Sequence, residues 1–488
     1  MIGLFTAAEI RAAEAPVLAA GPEGALMQRA ATGLATVCLR LLGAVYGRRI
    51  VLLVGTGDNG GDALVAGTHL ARRGARVAAV LLDPERAHPA GLTALRRAGG
   101  RVLDAGTATA AISRADLVLD GMLGIGGRGA LRADAAELAR EAGAAAALTV
   151  AVDVPSGIDA DTGAVEGAAF PAMHTVTFGA VKRGLVVGEG RGHAGEIHLI
   201  DIGLGPYLPA ATVFRLTDDD VSARLAPPSA SDDKYSQGVV GIVAGSATYP
   251  GAAVLCTGAA LRTRPGLVRY AGTAADGVRA AWPEAIVTDG RPGDAGRVQS
   301  WVVGPGMGTD DDARSLLAEV LGTDLPVVVD ADALTMLAGD PSLVRDRSAP
   351  TLLTPHDREF ARFGSEPGPD RVGAARRLAA DLGCAVLLKG EATVVADAGG
   401  TAFVNATGTP WLATAGTGDV LAGIAGSLLA TGLDAGQAGA VAAHLHGRTG
   451  ELAAERGPLL AGDLIRRLPE AIGRVRGVPA RRLGHSEA

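Results

Sequence analysis

Short runs of branched apolar residues alternate with helix-forming segments twice along this chain, and that alternation constrains the fold more than any other feature. IVLLVG (50–55), ARVAAVLL (75–82), DLVLDGML (116–123), LTVAVDVPSG (148–157) and HTVTFGA (174–180) form the first set. Between them lie Ala/Leu/Arg stretches of helical period, such as LVAGTHLARRG and TALRRAGG. Strands this apolar need cover on both faces, which predicts a parallel sheet in a three-layer α/β domain. The pattern breaks over 205–235, where Pro, Ser and Asp accumulate, and this puts a domain boundary near 213–217. A second α/β set follows: GVVGIVAG (238–245), SWVVGPGMG (300–308), LPVVVDADAL (325–334), APTLLTPHD (349–357) and CAVLLKGEATVV (384–395). Two Ala/Gly-rich helices around 418–455 close it. At 488 residues two domains are expected, 1–213 and 217–480, with a frayed tail over 480–488.

Charge and composition exclude several functions. A net charge of −7 and 3% aromatics give neither a basic footprint nor stacking platforms for nucleic acid. The first twenty residues are interrupted by Glu9, Arg11 and Glu14 and read as an amphipathic helix, not a signal peptide. No run of about 18 apolar residues is present, so no membrane span is expected and the protein reads as cytoplasmic. Cys38, Cys256 and Cys384 lack metal or redox spacing and read as buried hydrophobes in a reducing compartment. Only three lysines occur, Lys182, Lys234 and Lys389, against an arginine-rich background. Each is either a chance survivor or a cation doing what Arg cannot.

The suspicious loops all fall at strand carboxyl ends, where open parallel sheets bind ligands. In VGTGDNGGDA, Gly55, Gly57 and Gly60 fit the G-x-G-x-x-G dinucleotide pattern, but Asp58 and Asp62 share the loop. A carboxylate about 4 Å from a phosphate costs on the order of 4 kcal/mol at an effective dielectric near 20. A bound cation, or a carboxylate directed at ribose or ring, removes that conflict. DGMLGIGGRGA supplies Asp120, five glycines and Arg128, and DVPSGID supplies Asp153 and Ser156. Asn59, Asp120 and Ser156 are hard oxygen donors, suited to an alkali or alkaline-earth ion. Singly, Asp120 and Asp153 read as turn caps; three such loops on one sheet edge read as a site.

GTGDNGGDA, DGMLGIGGRGA, VDVPSGIDADTG and FGAVKRGL together resemble the NAD(P)H-hydrate epimerase domain, over about residues 5–210. The resemblance implies a Rossmann-like fold and interconversion of the R and S hydrates of reduced nicotinamide nucleotides, with bound K+. It implies that Asp58, Asn59, Gly60, Gly61 and Asp62 hold the hydrated dinucleotide, as do Gly124, Ile125, Gly126, Gly127, Arg128, Gly129 and Ala130. Asp153 would join them as the acid/base group, and Asn59, Asp120 and Ser156 would bind K+. Asp58 and Ala63 depart from the family's Asn and Gly; Ala63 is tolerable if its φ is negative.

In the second half, TAGTGDVLAG places glycines and Asp419 at a helix start, where amides and the helix dipole favour anions. Asp419 alone reads equally as an N-cap. Lys389 and Thr393 offer a cation and a hydroxyl for nucleotide phosphates, and VGPGMG and TPH end further strands. KYSQGVVGIVAGSATYPGAA, VVGPGMG, VVVDADAL, TPHDREF, LLKGEAT and AGTGDVLAGI resemble the ADP-dependent NAD(P)H-hydrate dehydratase domain, a ribokinase-like fold, over about 217–475. The resemblance implies dehydration of the S hydrate to NADH or NADPH with conversion of ADP to AMP and phosphate, ADP acting with Mg2+. Ala253, Gly306, His356 and Asp419 would contact the hydrate, with Asp419 as base. Lys389, Gly390, Glu391, Ala392, Thr393 and Gly418 would bind the adenine nucleotide, and Lys234 is a weaker phosphate candidate. Arg358 and Arg264-Pro265 replace the family's glycine-type residues. Small molecules, NADHX, NADPHX and ADP, are the expected partners; the oligomeric state is left open, a homo-oligomer included. Competing readings are a NAD(P)-dependent oxidoreductase, a ribokinase-like small-molecule kinase fused to a dinucleotide-binding domain, and a non-catalytic dinucleotide sensor. The chain shows no Tyr-x-x-x-Lys for the first of these.

Overall fold

The computed structural model describes residues 1–225, 227–264, 266–455 and 457–478. Pro265 of the Arg264-Pro265 departure and the tail 480–488 lie outside the described residues. The chain divides into two compact units, Gly3–Thr212 and Val213 onward, the latter joined by Met1–Ile2. No described helix is long and apolar enough to cross a membrane. Cys38, Cys256 and Cys384 are free and buried.

The first unit contains a seven-stranded sheet in the order Arg101–Leu103, Arg76–Leu81, Arg49–Val54, Leu117–Gly121, Leu148–Val152, His174–Phe178, Glu196–Ile200. Every neighbouring pair is parallel. This is doubly wound order, and it reverses between Arg49–Val54 and Leu117–Gly121, which opens a crevice at their carboxyl ends. Alternate strand residues face opposite layers. Ile50, Leu52 and Val54 pack with the helices Ala25–Leu42 and Asp58–Arg72, while Val51, Leu53 and Val118 pack with Ala133–Ala144. The fingerprint glycines serve this packing. A Cβ at Gly55 would collide with the Met122 carbonyl, one at Gly60 with the Gly55 carbonyl, and only Gly57 has open space. The helix Ala7–Ala20 starts at a capping box, with the Thr6 amide donating to Glu9 Oε2 at 2.7 Å and the Glu9 amide donating to Thr6 Oγ1 at 3.2 Å.

The second unit carries strands in the order Ile286–Thr288, Leu267–Ala271, Val239–Val243, Ser300–Val303, Val327–Val329, Thr351–Leu353, Ala385–Leu388, Val394–Ala396, Ala402–Val404, Val213–Arg215. The run 384–395 forms two antiparallel strands, and residues 389–393, expected at the end of a buried strand, are the turn between them. The polar interior of LLKGEATVV, with Gly390, cannot stay in a fully buried strand. Helices Pro250–Thr263, Thr417–Leu429, Ala435–Ala454 and Ala461–Val475 contribute to the main core. Their Ala/Gly content permits close approach: a Cβ at Gly423 would run into the Cys256 carbonyl, and one at Gly426 into Val302. Gly423→Val should therefore cost roughly 1–3 kcal/mol, read as a lower urea midpoint at unchanged slope.

Candidate active sites

In the first unit a cavity of about 1040 Å³ opens at the crevice. Asp58, Asn59, Asp62, Gly124, Ile125, Gly126, Gly127 and Asp153 line it. Gly60, Gly61, Arg128, Gly129 and Ala130 are not among its lining residues, and 128–130 are exposed. Asp58 is the first residue of its helix and Ala63 lies inside it with negative φ, so neither departure strains the backbone. Sequence reasoning left out Arg11 and Glu14, which reach the cavity from the first helix. Burial, then Asp153, raises the Glu14 carboxyl. Asp62 is buried and its Oδ1 has no hydrogen-bond partner. Its carboxyl is held well above the ordinary range by burial, then by Asp153, Asp58 and Glu14.

Asp153 follows the strand Leu148–Val152 with φ +65°, one of two non-glycine residues in the left-handed region among those described. Asp and Asn bear that conformation better than most side chains. Its Oδ1 accepts from Lys182 Nζ at 2.5 Å, the Phe178 amide at 3.1 Å and Thr177 Oγ1 at 3.2 Å. Lys182 is 1% exposed and also donates to the Phe178 carbonyl at 2.8 Å and to Thr177 Oγ1 at 3.1 Å. It stands in the FGAVKRGL motif and is one of three lysines, the two signals that could have assigned it a role.

Asn59, Asp120 and Ser156 come together around the Leu123 carbonyl, which accepts from Asn59 Nδ2 at 2.9 Å and Ser156 Oγ at 3.3 Å. Ser156 donates to Asp120 through its Oγ at 2.7 Å and its amide at 2.8 Å, and the Met122 amide adds a third bond at 3.1 Å. Asp120 thus caps its own turn as well. Burial raises its carboxyl to about 6 despite these donors. A fully buried carboxylate amid neutral oxygen donors fits a monovalent cation.

The second unit gathers its loops at the same edge of its own sheet. Asp330 accepts from Lys389 Nζ at 2.9 Å and Thr354 Oγ1 at 2.7 Å, and Glu359 Oε2 lies 3.6 Å from that ammonium. Burial opposes the charge on Lys389, but Asp330 and Glu359 outweigh it and its pKa is raised. Asp330, in VVVDADAL, and Glu359, in TPHDREF, are site residues that sequence reasoning missed. The helix Thr417–Leu429 is capped by Gly416 at φ +87°, so Asp419 sits at its third position and is not the N-cap. Burial, then Asp330, raises Asp419 to about 7, with Lys389 pulling the other way. Gly418 faces Lys389: a Cβ there would stand 3.7 Å from Nζ. His446, buried and lowered to about 4 by burial, bonds the Thr417 carbonyl at 2.9 Å and holds this turn.

The remaining predicted residues divide. His356 caps the helix Asp357–Ala361 in a box with Glu359, and Arg358 is a surface residue within it at negative φ, so it introduces no strain. Gly306 has φ +60° and approaches Tyr249 and Ala252. Ala253 is fully buried against Gly245. Gly390 and Glu391 are exposed, Ala392 is buried and Thr393 is half-buried. Lys234 is exposed, 5.4 Å from the Tyr235 ring centre.

A doubly wound α/β domain with a buried Asp–Lys couple, followed by a second α/β domain with an acid at a glycine-rich helix start, defines a two-domain enzyme with two separate sites. A family model described as NAD(P)H-hydrate dehydratase matches residues 240–472, and one described as YjeF-related protein N-terminus matches 23–184. The bifunctional NAD(P)H-hydrate repair enzyme Nnr of Mycobacterium tuberculosis (strain ATCC 25618 / H37Rv) is 54% identical over 436 residues, covering 88% of this chain and 90% of that protein. Its counterpart in Mycobacterium leprae (strain TN) is 52% identical over 460 residues, covering 93% and 95%. The solved structure of a ribokinase-like superfamily protein from Enterococcus faecalis V583 matches with TM-score 0.50 and 26% identity, over 55% of this chain and 98% of that one. The chain belongs to the family of bifunctional NAD(P)H-hydrate repair enzymes, an isomerase and a lyase in one polypeptide. Its Rossmann-like and ribokinase-like domains agree with the architecture expected from sequence.

Proposed function

We propose that residues 1–213 interconvert the R and S hydrates of NADH and NADPH, and that residues 217–480 dehydrate the S hydrate with ADP. The observation that carries this reading is that each domain sets a carboxylate near a lysine withdrawn from solvent, wholly for Lys182 and partly for Lys389, at the carboxyl edge of its sheet. Inverting the hydroxyl-bearing carbon requires one bond to that carbon to break and re-form on the opposite face, with a proton taken as it breaks and one returned as it re-forms, so that no atoms are gained or lost. Asp153 takes the proton, and Lys182, bonded to it at 2.5 Å, supplies the matching acid. Asp58, Asn59, Asp62 and 124–127 hold the dinucleotide along the cavity.

In the second domain, hydroxide is a poor leaving group and phosphate a good one. Asp419 takes the proton of the ring hydroxyl as a phosphoryl group passes to it from ADP, leaving AMP; loss of phosphate and a ring proton then restores the double bond. Lys389 and the 389–393 turn hold the nucleotide phosphates, and the amides of 416–418 face the charge that develops. Gly306 and His356 border the hydrate, with the backbone at Ala253 behind them. Mg2+, when bound with ADP, supplies charge neutralisation on the phosphates. Mixed R and S hydrates given with ADP and Mg2+ should return the full near-UV absorbance of reduced nicotinamide. Half recovery would remove the first assignment, and no recovery would remove the second.

Potassium at Asn59, Asp120 and Ser156 has a signature independent of turnover. Unfolded, Asp120 ionises near 3.8; folded, it ionises near 6. Stability from this group is therefore full below about pH 4 and falls as pH rises, by about 3 kcal/mol once pH passes 6. A cation offsets that loss only where Asp120 is ionised. K+ should raise the melting temperature at pH 7.5 relative to Li+ at equal ionic strength, do so little at pH 4.5, and have no such effect on Asp120→Asn.

A further inference from the structure

At the amino-terminal end of the first sheet, away from the edge that carries the cavity, three side chains converge that neither proposed activity uses. His174 and Glu196 each begin a strand and are register partners, and His198 pairs with Val176 two residues along. The period of two puts Glu196 and His198 on one face, diagonal to and beside His174. His174 Nδ1 stands 3.2 Å from His198 Nε2 and 3.6 Å from Glu196 Oε2, and His198 Nε2 stands 3.9 Å from Glu196 Oε1. The imidazole rings are tilted by 40° with centres 5.3 Å apart, so they meet through their nitrogens and do not stack.

We propose that His174, Glu196 and His198 form a binding site for a divalent transition-metal ion of the zinc class. Tetrahedral zinc ligands at about 2.0–2.1 Å stand about 3.3–3.4 Å from one another. The His–His separation already meets this, and the carboxylate, whose oxygens stand 3.6 and 3.9 Å from the two imidazole nitrogens on a side chain 69% exposed, can rotate one of them into place. Two neutral imidazoles and one carboxylate select a borderline-soft ion over Mg2+, Ca2+ or K+. The imidazoles are 15% and 23% exposed, which holds them in place yet leaves the fourth position open to water. Metal-free, the two nitrogens face each other at 3.2 Å with at most one proton to share. The ion would tie the edge strand Glu196–Ile200 to His174–Phe178, a brace at the end of the sheet opposite the catalytic loops.

The test uses the full-length chain, without an affinity tag and stripped of metal by chelation, titrated calorimetrically with ZnCl2. One equivalent more should bind to the native chain than to His198→Asn, and zinc should raise the melting temperature of the native chain alone. Glu196→Gln, at an exposed position that folding tolerates, should bind that equivalent at least about tenfold more weakly. Co2+ in place of Zn2+ should give the visible bands of a tetrahedral site in the native chain and not in either variant. Hydrate interconversion should be the same in all three chains without added metal. Equal zinc stoichiometry and affinity in all three chains, or octahedral cobalt spectra throughout, would overturn the assignment.

Discussion

Asp419→Asn should abolish ADP-dependent recovery of reduced nicotinamide absorbance while R/S interconversion continues. Losing a general base costs typically 10²–10⁴-fold, so the residual rate should fall near background. The native dehydratase should carry an acid limb in kcat/KM near pH 7, since Asp419 must be ionised and its carboxyl sits at about 7. Lys389→Met removes the one influence pulling that carboxyl down, so the limb should move to higher pH and KM for ADP should rise. The same variant pair has a stability signature. A carboxyl ionising near 3.8 unfolded and about 7 folded costs the native state of order 4 kcal/mol above pH 7, and less at pH 5. Asp419→Asn should therefore be more stable than the native chain, with the larger gain at pH 8. A gain independent of pH, or an unchanged acid limb in Lys389→Met, would remove Asp419 as the titrating base.

Asp153→Asn and Lys182→Met should each confine recovery to the S fraction of the mixed hydrates, slowing use of the R fraction by about 10²–10⁴-fold. Asparagine keeps the tolerance of φ +65° and so tests charge without disturbing the backbone. Lys182→Met leaves the Asp153 carboxylate with only the Phe178 amide and the Thr177 hydroxyl. Breaking a buried pair from one side costs roughly 3–5 kcal/mol. Combining the two substitutions should return most of that stability and none of the activity. If Asp153→Asn still consumes the R fraction at the native rate, the acid/base role belongs to another group at the cavity, with Asp62, whose Oδ1 has no hydrogen-bond partner and whose carboxyl is raised by burial, the first to test.

Central strands were legible because they are apolar on both faces and branched, as in Arg49–Val54 and Leu117–Gly121. Edge strands such as Arg101–Leu103 and Glu196–Ile200 were not, because one side meets solvent and their charged residues mask the pattern. The site loops were legible as strand-end motifs, yet their individual members were not sorted. Arg128, Gly129 and Ala130 share a motif with Gly124–Gly127 but turn away to the surface. The glycines of the dinucleotide fingerprint turned out to be largely packing residues, since Gly55 and Gly60 seat helix against strand.

Sequence alone specifies two α/β domains and the loops that gather at each sheet's carboxyl edge. These follow from local periodicity and from backbone rules that act within a few residues. Tertiary structure alone decided which groups titrate together. Lys182 reaches Asp153 across 29 residues and Lys389 reaches Asp330 across 59. Asp419 is raised to about 7 by burial and by a carboxylate from another strand end. Desolvation and Coulomb interactions depend on distance in space and on what has been excluded from water, and neither is encoded at any one position along the chain.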